Sequence, residues 1–124
     1  MANPNIVNVT SIYGNTSYLI PTGTSATTWT ALTPAVGTVN KVNNIVASNV
    51  TGSAANITVS INSATGGGGT AYRIAYQISV PANSSLIIVD KTTCIYVGET
   101  QSIVVTSGTN NAIELTASYE ALTS

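Results

Sequence analysis

The chain contains no histidine and no phenylalanine, and Cys94 is the one cysteine among its 124 residues. Only three basic and four acidic side chains are present. They make up 6% of the residues, whereas an average soluble domain has about a quarter of its residues charged. A single cysteine excludes an intrachain disulfide. Its position in the apolar run 94–97 predicts a small buried hydrophobe rather than a reactive thiol.

The scarcity of titratable groups argues against catalysis. Proton transfer near neutral pH relies on histidine or on a carboxylate with a perturbed pKa, and a serine or cysteine nucleophile needs a base beside it. Glu114 and Glu120 lie six residues apart on one predicted strand, a separation of roughly 20 Å that rules out a shared proton or metal ion. We therefore predict no catalytic, cofactor-binding or metal-binding residues, and a structural or adhesive role.

A chain with so few charges gives little electrostatic attraction to phosphate backbones or anionic lipids. We therefore expect no nucleic-acid partner and no membrane partner. Residues 1–5 have neither the basic nor the apolar stretch of a secretory signal, so we expect no secretion signal. Serine, threonine and asparagine dominate the polar residues, which predicts a neutral surface coated with hydroxyl and amide groups.

Alternation of apolar and polar residues predicts seven strands from Lys41 onward. Their predicted ranges are 41–49, 56–62, 70–79, 85–89, 94–97, 102–106 and 112–120. In the first, Val42 and Val46 are predicted on one face, and Ile45 and Ala47 on the other. In the third, the side predicted to carry the large apolar residues consists of Tyr72, Ile74, Tyr76 and Ile78.

The first forty residues are interrupted by proline and glycine. Strands are predicted at 6–13 and 16–20 around a turn at Gly14–Asn15, and another at 26–32. Residues 1–12 have an alternative interpretation as an N-terminal arm that reaches onto a neighbouring subunit. Many short strands without a helical segment predict one antiparallel β-sandwich domain over residues 1–124. The turn and strand at 97–106 favour a jelly roll, and an immunoglobulin-like sandwich is the alternative.

Two short features suggest binding sites but have simpler explanations. The run Gly66–Gly69 is followed by a predicted strand rather than by a lysine and a helix, which indicates a flexible loop tip and not a phosphate loop. Tyr13, Tyr18 and Trp29 are candidate interface residues or a candidate platform for stacking on sugars. Such aromatic residues are more often core or interface anchors.

Three segments of the chain carry a family resemblance: the opening Met1–Gly14, the predicted strand Lys41–Val50 and the closing Ala117–Glu120. They resemble small virion structural proteins of tailed phages, especially cyanophages and other marine phages. The resemblance implies an abundant part of the virion, with a capsid decoration (cement) protein as the expected role. Its expected partners are the major capsid protein and copies of itself, for example as a trimer. It implies no cofactor.

The resemblance leaves a second role open. A tail, neck or fibre component would contact glycans on the host surface, with aromatic residues near Trp29 as the contact. Both roles place the chain in a virion that is assembled in the host cytoplasm. They differ in the position on the particle and in the partner.

Overall fold

The computed structural model describes residues 7–123. Within this range the chain forms nine strands and three short 3-10 turns. The strands are β1 (Ser11–Leu19), β2 (Thr27–Thr28), β3 (Thr38–Asn49), β4 (Ala55–Asn62), β5 (Ala71–Val80), β6 (Ser85–Val89), β7 (Ile95–Val97), β8 (Ser102–Ser107) and β9 (Ile113–Thr123). The seven strands predicted from Lys41 onward are confirmed as β3 to β9, with bounds that differ by up to three residues.

The strands form two antiparallel sheets that pack face to face. One sheet has the order β1-β9-β3-β6, with β7 also paired to β3, and the other has the order β2-β8-β4-β5. Apart from β7, this is the arrangement of a jelly roll, in which eight strands form two four-stranded sheets by Greek-key connections. The immunoglobulin-like alternative places its first, second, fifth and fourth strands in one sheet, which differs from the order observed here.

Strand β3 contains a bulge that the periodicity of the sequence did not predict. Val42 pairs with Tyr119 of β9 and Asn44 pairs with Ser118, so Asn43 is an extra residue. The Asn44 side-chain oxygen accepts the Ser118 backbone N–H at 3.0 Å, which satisfies a donor beside the bulge. The prediction that Val42 and Val46 share a face is therefore wrong.

The bulge changes which β3 residues reach the core. Val42, Ile45 and Ala47 are all fully buried, whereas Val46 is half-buried on the outer face. Strict alternation would have separated Val42 from the other two. On the side of β3 away from β9, the partner strand changes at the same site: β7 pairs with residues 40–42 of β3, and β6 pairs with residues 45–48.

The first forty residues differ most from their prediction. Ser11–Leu19 is one continuous strand paired with β9, so the predicted turn at Gly14–Asn15 is wrong. The segment predicted as a strand over 26–32 consists of β2 and a 3-10 turn at Thr30–Leu32. Residues 1–6 of the predicted N-terminal arm lie outside the described residues, and its last two residues, Ser11 and Ile12, belong to β1.

The core lies between the sheets and is made of aliphatic side chains around one tryptophan. Its largest fully buried members are Trp29, Leu32, Ile45, Ile57, Ile103, Ile113 and Leu115. Each such aliphatic side chain contributes about 1.5–3 kcal/mol through the removal of apolar surface from water. The alternation predicted for the last strand is confirmed for Ile113, Leu115 and Ala117, and Tyr119 packs against the edge of the core.

The glycine-rich segment after β4 folds back over the outer face of the four-stranded sheet. The Gly67 N–H donates to Ser102 Oγ at 3.0 Å, and the Gly67 carbonyl accepts from Asn62 Nδ2 at 2.9 Å. Ser102 Oγ in turn donates to the Ala64 carbonyl at 2.7 Å. The prediction of a flexible loop tip is therefore wrong for Gly67, whose backbone joins β4 to β8.

Replacement of Gly67 by alanine should destabilise the fold more than the same change at Gly66. Both residues have positive φ, which costs an L-residue roughly 1–2 kcal/mol. A Cβ at Gly67 would also lie 2.5 Å from Thr28 Oγ1, whereas a Cβ at Gly66 would meet nothing within 4 Å. Urea unfolding should therefore give the highest free energy of unfolding for the wild type, a lower one for Gly66→Ala and the lowest for Gly67→Ala.

The double variant Thr28→Ala/Gly67→Ala removes the contacting hydroxyl and should recover part of the loss. Equal effects of Gly66→Ala and Gly67→Ala would contradict the close packing of this segment on β2.

Candidate interaction surfaces

The three aromatic residues predicted as a possible sugar platform do not form one surface. Trp29 is 2% exposed and belongs to the core, where its indole N–H donates to Ser17 Oγ at 3.0 Å. Tyr13 and Tyr18 are 63% and 77% exposed, but they stand five positions apart on β1, whose register with β9 is continuous. Side chains at an odd spacing on a regular strand point to opposite faces of the sheet.

The burial of Trp29 supports its interpretation as a core anchor. Its indole bond to Ser17 links the segment after β2 to strand β1 of the other sheet. The role of Tyr13 and Tyr18 at an interface stays a prediction. Ile12, which is 58% exposed, stands at an even spacing from Tyr18 and shares its face of the sheet; these two side chains are called the β1 patch below.

A second exposed apolar surface lies at the other side of the sandwich. It wraps around the edge formed by β5 and β6, consists of Tyr72, Tyr76 and Ile78 on β5 and Ile87 on β6, and is called the β5–β6 patch below. Tyr72 and Ile78 pair with Ile61 and Ile57 and lie on the face toward the core, whereas Tyr76 lies on the other face, beside Arg73. Strands β5 and β6 are the last strands of their respective sheets and contact each other across the sandwich. The β1 patch and the β5–β6 patch therefore lie at opposite sides of the molecule.

The sequence did not identify the β5–β6 patch because β5 contains two irregularities. Ile57 pairs with Ile78 and Val59 with Ala75, so Thr58 faces two residues, Tyr76 and Gln77. A second shift between Val59 and Ser60 makes Ile74 an extra residue. The prediction that Tyr72, Ile74, Tyr76 and Ile78 all share one face is therefore wrong: Ile74 packs against the core, and the two tyrosines are exposed.

Few charges lie near either patch. Arg73 is the basic residue of β5, and its guanidinium lies 5.3 Å from the centre of the Tyr76 ring. This distance is typical of a cation–π interaction. The remaining exposed surface of β5 and β6 is aromatic, aliphatic or bears neutral hydroxyl and amide groups, which suits contact with another protein surface more than with a charged ligand.

Two glutamates in the described range make structural contacts. Glu99 is buried, and its Oε2 accepts the Gly37 backbone N–H at 2.7 Å. Glu120 Oε1 accepts from Asn43 Nδ2 at 3.2 Å beside the β3 bulge. Residues 7–123 contain no group of three or more His, Cys, Asp or Glu side chains that could hold a metal ion. Cys94 is half-buried rather than buried as predicted.

Asp90 organises the connection that separates β6 from β7. Its Oδ1 accepts the backbone N–H groups of Thr92 and Thr93 at 2.9 and 3.0 Å, and the Thr92 hydroxyl at 2.6 Å. Thr93 Oγ1 accepts the Asp90 N–H, which completes a capping box. The hydrogen bonds from the Thr92 and Thr93 side chains, followed by those from their backbone groups, lower the pKa of Asp90 below its usual value.

Asp90 should make a pH-dependent contribution to stability. Because its pKa is lower in the folded state, the contribution is present above the unfolded-state pKa near 4 and is lost as the pH falls through the folded value. Thermal melts of wild type and Asp90→Asn between pH 2 and pH 7 test this, because asparagine keeps an acceptor but does not titrate. The difference in melting temperature should shrink toward low pH, and a constant difference would contradict the assignment.

Trp29→Ala should cost about 3–5 kcal/mol in the free energy of unfolding, because it empties the centre of the core. Tyr72→Ala, which removes an exposed aromatic ring, should change it by less than about 0.5 kcal/mol. Urea unfolding of both variants measures the difference. Similar costs would show that Trp29 is not the core anchor that its burial indicates.

The described residues contain no helix with the length and apolar character needed to cross a membrane. No protein-family model matches the chain, and no curated protein matches its sequence. The chain is similar to several solved structures.

A chain from the disulfide-linked pili of Bacillus endospore appendages is similar over 92% of this chain and 88% of its own length, with a TM-score of 0.51 and 14% identity. A virus-like particle chain of extra small virus from the giant freshwater prawn Macrobrachium rosenbergii is similar over 94% of this chain and 82% of its own length, with a TM-score of 0.46 and 12% identity. A chain of infectious bursal disease virus, Gx strain, has a TM-score of 0.46 and 12% identity, and the similarity covers 91% of this chain and 32% of that chain. The likeness to the pilus chain supports the fold: this chain is a jelly-roll β-sandwich.

Proposed function

We propose that this chain is a structural protein of a phage virion, and specifically a capsid decoration (cement) protein that bridges major capsid subunits. The observation that carries the proposal is the pair of exposed apolar patches at opposite sides of one small sandwich. A protein that links neighbours needs at least two contact surfaces, and large exposed apolar patches mark such surfaces. The resemblance of the chain to virion proteins of tailed phages supports the same role.

The β5–β6 patch is the surface that we assign to the major capsid protein. Interface centres are more apolar than the rest of the surface, enriched in tyrosine and depleted of charge, which matches Tyr72, Tyr76, Ile78 and Ile87. The β1 patch is then available for copies of the chain itself. The role requires no catalysis and no cofactor, and it gives no part to nucleic acid or membrane.

Chemistry in the described residues is consistent with this passive role. The buried carboxylate of Glu99 and the side chain of Asp90 are both engaged in hydrogen bonds to the backbone. Hydroxyl and amide groups coat the strands, and such a surface depends little on ionic strength because few charges are present to be screened. A shell-stabilising protein that works in saline water benefits from this property.

The alternative role, a tail, neck or fibre component that binds host glycans, has less support. Trp29, the residue at the centre of its expected contact, is buried, and Tyr13 and Tyr18 face opposite sides of β1. A glycan array incubated with the purified chain should therefore show no binding above background.

Purified chain should bind to capsids that lack it, and antibody labelling of intact virions should place it on the head. The variant Tyr72→Ala/Tyr76→Ala/Ile87→Ala should lower the affinity for such capsids by about a hundredfold or more, because truncation of central interface residues costs more than about 1 kcal/mol each. Co-sedimentation of protein with capsids measures the affinity.

The matched control is Val36→Ala/Val50→Ala, which truncates exposed aliphatic side chains outside both patches. It should bind like the wild type. Labelling restricted to the tail would overturn the decoration role, and capsid binding that is unaffected by the triple variant would overturn the assignment of the β5–β6 patch.

A further inference from the structure

Strand β1 differs from the other strands at the edges of the two sheets. An edge strand exposes unpaired backbone groups, and proteins usually protect it by shortness, bulges, charges or proline. Strand β2 has two residues. Strand β5 contains two register shifts, a positive φ at Gln77 and the charge of Arg73. The β6–β7 edge is interrupted by the 3-10 turn Lys91–Thr93 and carries the charges of Asp90 and Lys91.

None of these protections is present in β1. It is nine residues long, its register with β9 has no shift, and its sequence contains neither a charged residue nor proline. Among residues 7–123 no strand pairs with its other side. Exposed side chains occur on both of its faces. A long, regular and neutral edge of this kind is a template for pairing with another strand.

We propose that β1 pairs antiparallel with β1 of a second copy of this chain, so that two five-stranded sheets join into one continuous sheet across a two-fold axis. This rests on the self-association part of the proposed function and identifies its surface. The same strand on both copies gives the self-complementary interface that two-fold symmetry requires. Because each β1 has a single open edge, this contact closes at two copies and does not generate a trimer.

The faces and length of β1 determine the register of the pair. Residues directly opposite each other in antiparallel strands lie on the same face, so a residue pairs with one at an even spacing from it. All nine residues of Ser11–Leu19 pair when Asn15 lies opposite Asn15 of the second copy. Ile12 then lies opposite Tyr18 of the second copy, and this apolar pair occurs twice.

Electrostatics identifies a second copy as a compatible occupant. The nearest acidic group is Glu120, which pairs with Gly14 in the neighbouring strand β9. In the joined sheet the two copies of Glu120 are at least three strand spacings apart, or about 14 Å. This exceeds the screening length of about 8 Å at physiological ionic strength, so the like charges repel little. The paired strands themselves bring no charges together.

Sedimentation equilibrium of the purified full chain over a range of concentrations tests the proposal. The wild type should be a dimer that dissociates on dilution. Ile12→Lys/Tyr18→Lys should weaken the dimer about tenfold or more, because each introduced lysine faces another across the interface. Ile12→Lys/Tyr18→Glu places opposite charges there and should dimerise, with an affinity that falls as salt rises.

The matched control is Tyr72→Lys/Ile87→Lys, which introduces two lysines at residues of similar exposure, 61% and 63%, in the β5–β6 patch. It should dimerise like the wild type. Circular dichroism melts establish that each variant is folded. The Ile12→Lys/Tyr18→Glu variant shows separately whether charges at these two positions are compatible with the fold.

A disulfide tests the register without adding charge. In a Cys94→Ser background, Asn15→Cys should give a covalent dimer on oxidation, because residue 15 lies opposite itself. Gly14→Cys, whose opposite residue is Thr16, should cross-link much less. Equal cross-linking of the two variants would overturn the register.

A wild-type mass of one chain at all concentrations, or of three chains, would overturn the pairing, as would a dimer that Ile12→Lys/Tyr18→Lys leaves unchanged. These results are separate from the position on the particle. A monomer in solution that binds capsids would overturn only the β1 pairing, whereas a β1 dimer that is absent from capsids would overturn only the decoration role.

Discussion

The antiparallel pairing of β3 with β9 is the interaction on which the rest of the sandwich depends. It runs from Thr38 to Asn49 in β3 and is interrupted once, at Asn43. The side chain of Asn44 accepts the Ser118 N–H beside the interruption, and Asn43 bonds Glu120. These two contacts satisfy polar groups that the bulge would otherwise leave unpaired. They allow Val42, Ile45 and Ala47 to enter one core.

The far edge of this sheet is interrupted at the same place along β3. Before Asn43 the strand pairs with β7 and after it with β6, and the capped turn at Asp90 joins β6 to β7. Strand β1, at the opposite edge, pairs with β9 alone and has no irregularity. One sheet therefore combines an interrupted edge with a regular one. This asymmetry is the physical basis for assigning different partners to the two sides of the molecule.

Much of the fold could be predicted from the sequence. The ranges of β4, β6 and β8 follow from local alternation and from flanking turn residues, and each matches the structure within one residue. Local patterns failed where a strand was held by a distant partner. Gly14 and Asn15 are typical turn residues, yet both lie inside β1 because pairing with β9, about a hundred residues away in sequence, overrides their local preference. The β5–β6 patch could not be predicted because the bulges in β5 move side chains between faces.

The sequence by itself determined the class of the molecule. Its period-two alternation predicts an all-β sandwich. Only the tertiary structure decided that Trp29 lies in the core, that Gly67 is packed against β2, and that β5 exposes its tyrosines. The reason is that alternation specifies two faces for a strand. Which face is buried, and which edge stays open, depends on long-range pairing and bulges.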